Sequence, residues 1–245
     1  MIALVTGASG GIGEATTRRL AREPDAHLVL VARREDRLRA LADELGGATV
    51  IAVDLVDEDA PARVREVVER EHGRLDLLVN NAGGSTRATF ADGGYRNVHE
   101  TMQLNFDAVV RLTEALLPLL RRSAPSAIVN LSSVAGRIAR AKSGAYNASK
   151  FALIGWSESL HLEERPNDVH VGCVMPGFVA TEGFPHDALR RRRLTRWMVS
   201  KPERVAEAIV TVGLRGKAER YVPWPWGLLV AFRALAPRLL RRGAR

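Results

Sequence analysis

The sequence predicts an α/β fold, a doubly wound parallel sheet with helices on both faces. Three observations predict it. Short runs of leucine and β-branched residues recur between longer stretches of helical period. Most of those runs are continuously hydrophobic, as in strands covered on both faces. Strand and helix alternate with connections long enough for right-handed crossovers.

In chain order, the expected strands cover residues 2–6, 27–32, 49–53, 75–80, 127–131, 169–175 and 220–222. Helical patterns occupy 12–22, 34–45, 60–72, 98–122, 146–165 and 202–214. The first strand, Ile2-Ala3-Leu4-Val5-Thr6, stops at Gly7, where the chain must turn. Ser200-Lys201-Pro202-Glu203 has the spacing of a capping box and starts the last of these helices. No repeat or low-complexity linker divides the 245 residues, so one domain is expected. Within it, residues 1–122 serve mainly a cofactor, 123–222 the catalytic and substrate side, and 223–245 form an amphipathic tail.

Composition narrows the classes. Hydrophobic residues make up 46% and charged residues 26%, which excludes disorder, collagen and coiled coil for the whole chain. The formal charge is +8, carried by 32 arginines against 4 lysines, and no recognition helix accompanies it, so nucleic acid is not expected. The single cysteine, Cys173, excludes an internal disulfide and points to a reducing, cytoplasmic setting. The N-terminus lacks a basic region before its short apolar run, so export is not expected. No window approaches ~18 uninterrupted apolar residues, as a spanning helix requires. His161, Glu163 and Glu164 lack metal-ligand spacing, and no catalytic metal is expected.

Thr6-Gly7-Ala8-Ser9-Gly10-Gly11-Ile12-Gly13 joins the first strand to the first helix. Glycines there let a pyrophosphate approach the backbone, and free N–H groups at the helix start favour the anion. Position turns a glycine-rich turn into a dinucleotide site. The second strand delivers Arg33-Arg34 and no carboxylate before Glu35. An acid at that end holds a ribose 2′-hydroxyl, an arginine a 2′-phosphate. NADP(H) is therefore favoured over NAD(H), with Arg33 first and Arg34 and Ser9 assisting.

Further motifs follow: Asn80-Asn81-Ala82-Gly83, Ser132-Ser133, Tyr146-Asn147-Ala148-Ser149-Lys150 and Pro176-Gly177. With the glycine loop, they resemble the short-chain dehydrogenase/reductase family from the first strand to about Val222. The resemblance implies a Rossmann-type fold of seven parallel strands, a nicotinamide cofactor, and a homodimer or homotetramer. It implies a catalytic set of Asn105, Ser133, Tyr146 and Lys150. It also implies cofactor contacts from Asp54 and Leu55 to adenine, from Asn81, Ala82 and Gly83 beside the ribose, and from Pro176, Gly177, Val179 and Thr181 beside the nicotinamide.

The chemistry has its own footing. Tyr146 and Lys150, four residues apart on a helix, share one face. An ammonium nearby and the positive charge of oxidised nicotinamide are expected to lower the phenol from its usual pKa near ~10. Tyr146 then exchanges a proton with a carbonyl or alcohol oxygen, and the resemblance implies that Ser133 orients that oxygen. The expected function is NADP(H)-dependent interconversion of a ketone or aldehyde with an alcohol. Alternatives are reduction of a 3-oxoacyl thioester, or a sensor that binds NADP(H) without turnover. Residues 182–200, with Arg190–Arg193 and Arg196, are expected to form a flap over a small-molecule substrate. In the tail, Trp224, Trp226, Leu228, Leu229, Phe232, Leu235, Leu239 and Leu240 form an apolar stripe edged by Arg233, Arg238, Arg241 and Arg242. Burial or subunit packing is preferred there over membrane-surface contact.

Overall fold

The structure, a computed structural model, describes residues 1–182 and 196–237. β1 (Ile2–Thr6) leads into α1 (Gly11–Leu20), β2 (His27–Ala32) into α2 (Glu35–Glu44), and β3 (Thr49–Ala52) into α3 (Ala60–His72). After β4 (Leu77–Asn80) come α4 (Phe90–Met102), a π-helical turn at Gln103–Asp107, and α5 (Ala108–Arg122). β5 (Ser126–Leu131), α6 (Gly144–Glu164) and β6 (Val169–Pro176) follow. The short strands β7 (Phe178–Val179) and β8 (Val199–Ser200) precede α7 (Pro202–Leu214), β9 (Glu219–Val222) and α8 (Pro225–Leu235).

Seven strands form one parallel sheet in the order β3-β2-β1-β4-β5-β6-β9. Alternate residues of each strand enter two separate cores, which explains the unbroken hydrophobic runs. Ala3, Val5, Leu28, Leu30 and Val129 face Leu20 of α1, Leu38 of α2 and Ile209 of α7. Leu4, Val29, Val31 and Ile128 face Val64 of α3, with Leu112 and Leu116 of α5. The order reverses direction between β1 and β4, and a ligand crevice opens beyond the strand ends at such a point.

Three expectations need correction. The helix expected over 98–122 is two helices joined by the π-helical turn, and the first starts at Phe90. Gly93-Gly94 disguises that start, and Gly94 kinks the helix with φ +53. Thr89 caps it, accepting from the Asp92 amide at 3.2 Å. The capping box at Ser200 does not form: Lys201 is the N-cap, without a side-chain cap bond. Ser200 instead belongs to β8, its carbonyl accepting from Ala180 at 3.0 Å, and its hydroxyl is buried without a partner among the described residues. The tail stripe is divided: Trp226 is buried, whereas Trp224, Leu228, Phe232 and Leu235 are exposed. Arg190–Arg193, Arg238, Leu239, Leu240, Arg241 and Arg242 lie outside the described residues, as does the Arg196 side chain. Among the described residues, no helix is long and apolar enough to cross a membrane.

Candidate active site

A cavity of about 670 Å³ runs from the glycine loop to Tyr146 at the carboxyl ends of the strands. Gly7, Gly10, Gly11 and Ile12 line one end. Gly7 and Gly11 have φ of +65 and +59, the left-handed region that side chains disfavour. A Cβ on Gly13 would lie 2.1 Å from the Gly7 carbonyl oxygen, so only glycine lets α1 approach this closely. Gly10 is the N-cap of α1 and has no side chain to cap it. The first amides of the helix are thus left to an anion. This cradle fits a pyrophosphate.

At the end of β2 the two arginines part. Arg33 is 77% exposed and reaches Asp54 at 3.5 Å, outside the cavity wall. Arg34 lines the cavity. Its guanidinium donates to the Ser9 carbonyl at 3.0 Å and to the Ser9 hydroxyl at 3.2 Å. Arg34 has extended backbone angles as N-cap of α2, which turn its side chain back toward the loop. Of the two arginines, Arg34, bonded to Ser9, lines the cavity and Arg33 does not.

Ser133, Tyr146 and Lys150 meet at the other end. The Ser133 hydroxyl donates to the Pro176 carbonyl at 3.3 Å and accepts from the Ala135 amide at 3.1 Å; its nearness lowers the Tyr146 pKa, as does the charge of Arg140. Burial outweighs both and raises it. Without cofactor, Lys150 is not among the groups that lower this phenol. Its ammonium lies 5.8 Å from the Tyr146 ring centroid and donates to the Leu131 carbonyl at 2.8 Å. Burial pushes Lys150 down to about 8. At that value the ammonium still carries its charge at neutral pH.

Asn105 lies in the π-helical turn, fully buried. Its amide donates to the Gly84 carbonyl at 2.9 Å and to the Ser149 hydroxyl at 3.1 Å. It also accepts from the Gly84 amide at 2.8 Å, so it clamps the loop after β4 against α6. Asn81 and Ala82 line the cavity and are pinned to β1: both amides donate to the Thr6 hydroxyl at 2.9 Å. Gly83 lines it too, with Asn105 Oδ1 3.0 Å from where its Cβ would stand. Asp54 and Leu55 do not line the cavity; Asp54 accepts from the Val56 amide at 3.2 Å. Pro176, Gly177, Val179 and Thr181 do line it, and the Thr181 methyl would stand 3.3 Å from a Cβ on Gly11. Gly177 makes room for the Trp226 indole, whose nitrogen would lie 2.0 Å from an added Cβ.

The sequence profile of the short chain dehydrogenase family matches residues 1–189. The chain belongs to that family. Over 176 residues it is 34% identical to the 3-ketodihydrosphingosine reductase of Bacteroides thetaiotaomicron, spanning 72% of this chain and 63% of that reductase, under two thirds of its length. The dehydrogenase/reductase SDR family member 7B of Xenopus laevis is 30% identical over 258 residues, covering 97% of this chain and 79% of its own. Among solved structures, the L-sorbose reductase of Gluconobacter frateurii, complexed with NADPH and L-sorbose, matches with a TM-score of 0.80 at 28% identity. That match covers 90% of this chain and 93% of the sorbose reductase.

Sequence reasoning missed several lining residues of this short-chain dehydrogenase. Arg37 pairs with Glu182 at 3.0 Å across the cavity mouth. Arg87, Arg140 and Phe178 line the end near Tyr146. All but Arg37 lie in loops or a two-residue strand, where periodicity carries no signal.

Proposed function

We propose that the protein is an NADP(H)-dependent oxidoreductase that interconverts a ketone or aldehyde with an alcohol, with Tyr146 as general acid and base. The observation that carries this reading is a single cavity lined by the glycine cradle and by Ser133, Tyr146 and Lys150. When bound, the nicotinamide cofactor supplies or accepts the hydride. The chain supplies the rest. The α1 amides hold the pyrophosphate, and Lys150, within the same wall, donates to ribose hydroxyls. Ser133 and Tyr146 donate to the substrate oxygen, and the Tyr146 hydroxyl gives its proton to that oxygen as carbonyl becomes alcohol. Burial keeps the phenol protonated at neutral pH, which suits reduction. Arg34, braced by Ser9, is the group positioned for a 2′-phosphate, and supports NADP(H) over NAD(H). The NADPH of the sorbose reductase agrees with that choice. Residues 1–122 then carry mainly the cofactor and 123–222 the reacting side, in a cytoplasmic homodimer or homotetramer.

The test is NADPH oxidation against a panel of ketones, aldehydes and oxo acids. Tyr146→Phe should lower turnover roughly 10²- to 10⁴-fold while leaving NADPH affinity near the parent value. A phenylalanine variant that still turns over at the parent rate overturns the assignment.

A further inference from the structure

The cavity lining holds five cationic side chains, Arg34, Arg37, Arg87, Arg140 and Lys150, and one carboxylate, Glu182. Glu182 is already held by Arg37. Arg34 is bonded to Ser9 at the glycine-loop end, and Lys150 to the Leu131 carbonyl. Arg87 and Arg140 are left. Elsewhere Arg18, Arg19, Arg39, Arg121 and Arg137 hold glutamates, whereas Arg111 holds backbone carbonyls. Among the described residues neither Arg87 nor Arg140 has a carboxylate partner, and both are exposed to an incoming ligand.

Their place is informative. Arg87 lies in the loop after β4 and Arg140 in the loop after β5, so they approach from neighbouring strand ends. Arg140 sits over the Phe178 ring, 5.0 Å from its centroid, which fixes its direction. Desolvation and the charge of Arg87 both push the Arg140 pKa down, while Tyr146 pushes it up. The Arg140 guanidinium therefore feels both Arg87 and the phenol. An arginine stays charged under such pressure, and an anion between two of them relieves it.

We propose that Arg87 and Arg140 form an anion-binding subsite beside Tyr146, so that the carbonyl substrate carries a carboxylate or phosphate group. This rests on the oxidoreductase reading above. Arg140 and Arg87 grip the acidic group, Leu131 and Phe178 supply apolar wall, and the carbonyl oxygen is left to Ser133 and Tyr146. In the reduction, one hydride from NADPH forms the new C–H bond and the tyrosine proton forms the O–H bond. The acidic group is unchanged and serves only to orient.

The experiment compares acid and neutral partners with the NADPH-saturated protein. The pairs are 2-oxo-4-phenylbutanoate and its ethyl ester, acetoacetate and ethyl acetoacetate, and dihydroxyacetone phosphate and dihydroxyacetone. The first two report a carboxylate, the third a phosphate. For at least one pair, kcat/KM should favour the acid about tenfold or more, and Arg87→Gln and Arg140→Gln should each cut that ratio roughly ten- to hundredfold. Arg140→Lys should retain part of it. Titration of 2-hydroxy-4-phenylbutanoate and of glycerol phosphate into the NADPH-loaded protein supplies a readout independent of turnover, with the same order among variants. Ratios at or below one for all three pairs, no anion binding in the titration, or ratios that neither glutamine variant moves would overturn the subsite. Anion binding that depends on both arginines, without hydride transfer to any carbonyl, would sink the oxidoreductase reading and leave the subsite standing. Rapid reduction of neutral carbonyls with acids ignored does the reverse.

Discussion

Lys150 is a buried cation without a carboxylate, and replacing it by methionine should change the pH dependence of stability in a definite way. Burial lowers its pKa from the ordinary 10.5 to about 8. A difference of that size corresponds to ~3 kcal/mol between the two protonation states. Below pH about 8 the native and unfolded chains both carry the proton, so the folded protein bears the whole penalty. As pH rises through the native pKa, the folded lysine releases its proton while the unfolded one keeps it. The unfolded state then binds more protons and stability rises, until both are neutral above the ordinary lysine pKa. Lys150→Met removes this slope. The stability of the parent minus that of the variant should therefore increase by ~3 kcal/mol between neutral pH and the ordinary lysine range. At one pH the comparison also contains the lost bond to the Leu131 carbonyl, which is worth ~1–3 kcal/mol if that oxygen is left dry. Only the slope isolates the ammonium. Denaturant titrations of both proteins without cofactor, from neutral to alkaline pH, give it directly. Parallel profiles would refute the burial argument.

Three further outcomes are expected. Gly13→Ala forces a methyl against the Gly7 carbonyl and should destabilise the protein by ~1–3 kcal/mol, read as a lower Tm, with loss of dinucleotide affinity. Arg34→Ala should erode the NADP(H) over NAD(H) preference roughly ten- to hundredfold, and Arg33→Ala should change it far less; equal effects would contradict the division seen at the end of β2. The raised Tyr146 pKa keeps the acid form below it, so the ratio of alcohol oxidation to carbonyl reduction should climb with alkaline pH; a flat ratio contradicts the assignment.

Most of the sheet was legible because its strands are buried on two faces, and a chain cannot hide such runs. The seven expected strands differ from the observed ones by at most two residues at an end. What escaped is what packing decides after the sheet exists. Gly93-Gly94 reads as a turn, yet α4 runs through it with one kinked residue. β7 and β8 contain two residues each, too few for any period, and owe their existence to pairing with each other. Ser200 looks like a helix cap and is taken by that pair instead.

The site divides along the same line. The glycines, Ser133, Tyr146 and Lys150 sit at strand ends or on one helix face, where local geometry fixes direction, so spacing read together with the family resemblance brought them to one cavity. Arg33 and Arg34 are adjacent in sequence but differ by which one caps α2, a backbone detail invisible to composition. Arg87 and Arg140 lie far apart in irregular loops, and their meeting depends on β4 and β5 being neighbours. The shared cradle of a fold can thus be read from strands and helices, whereas the groups that select a substrate sit on loops that the sheet merely gathers. In this chain the gathered groups are cations, and what they select should be sought among acids.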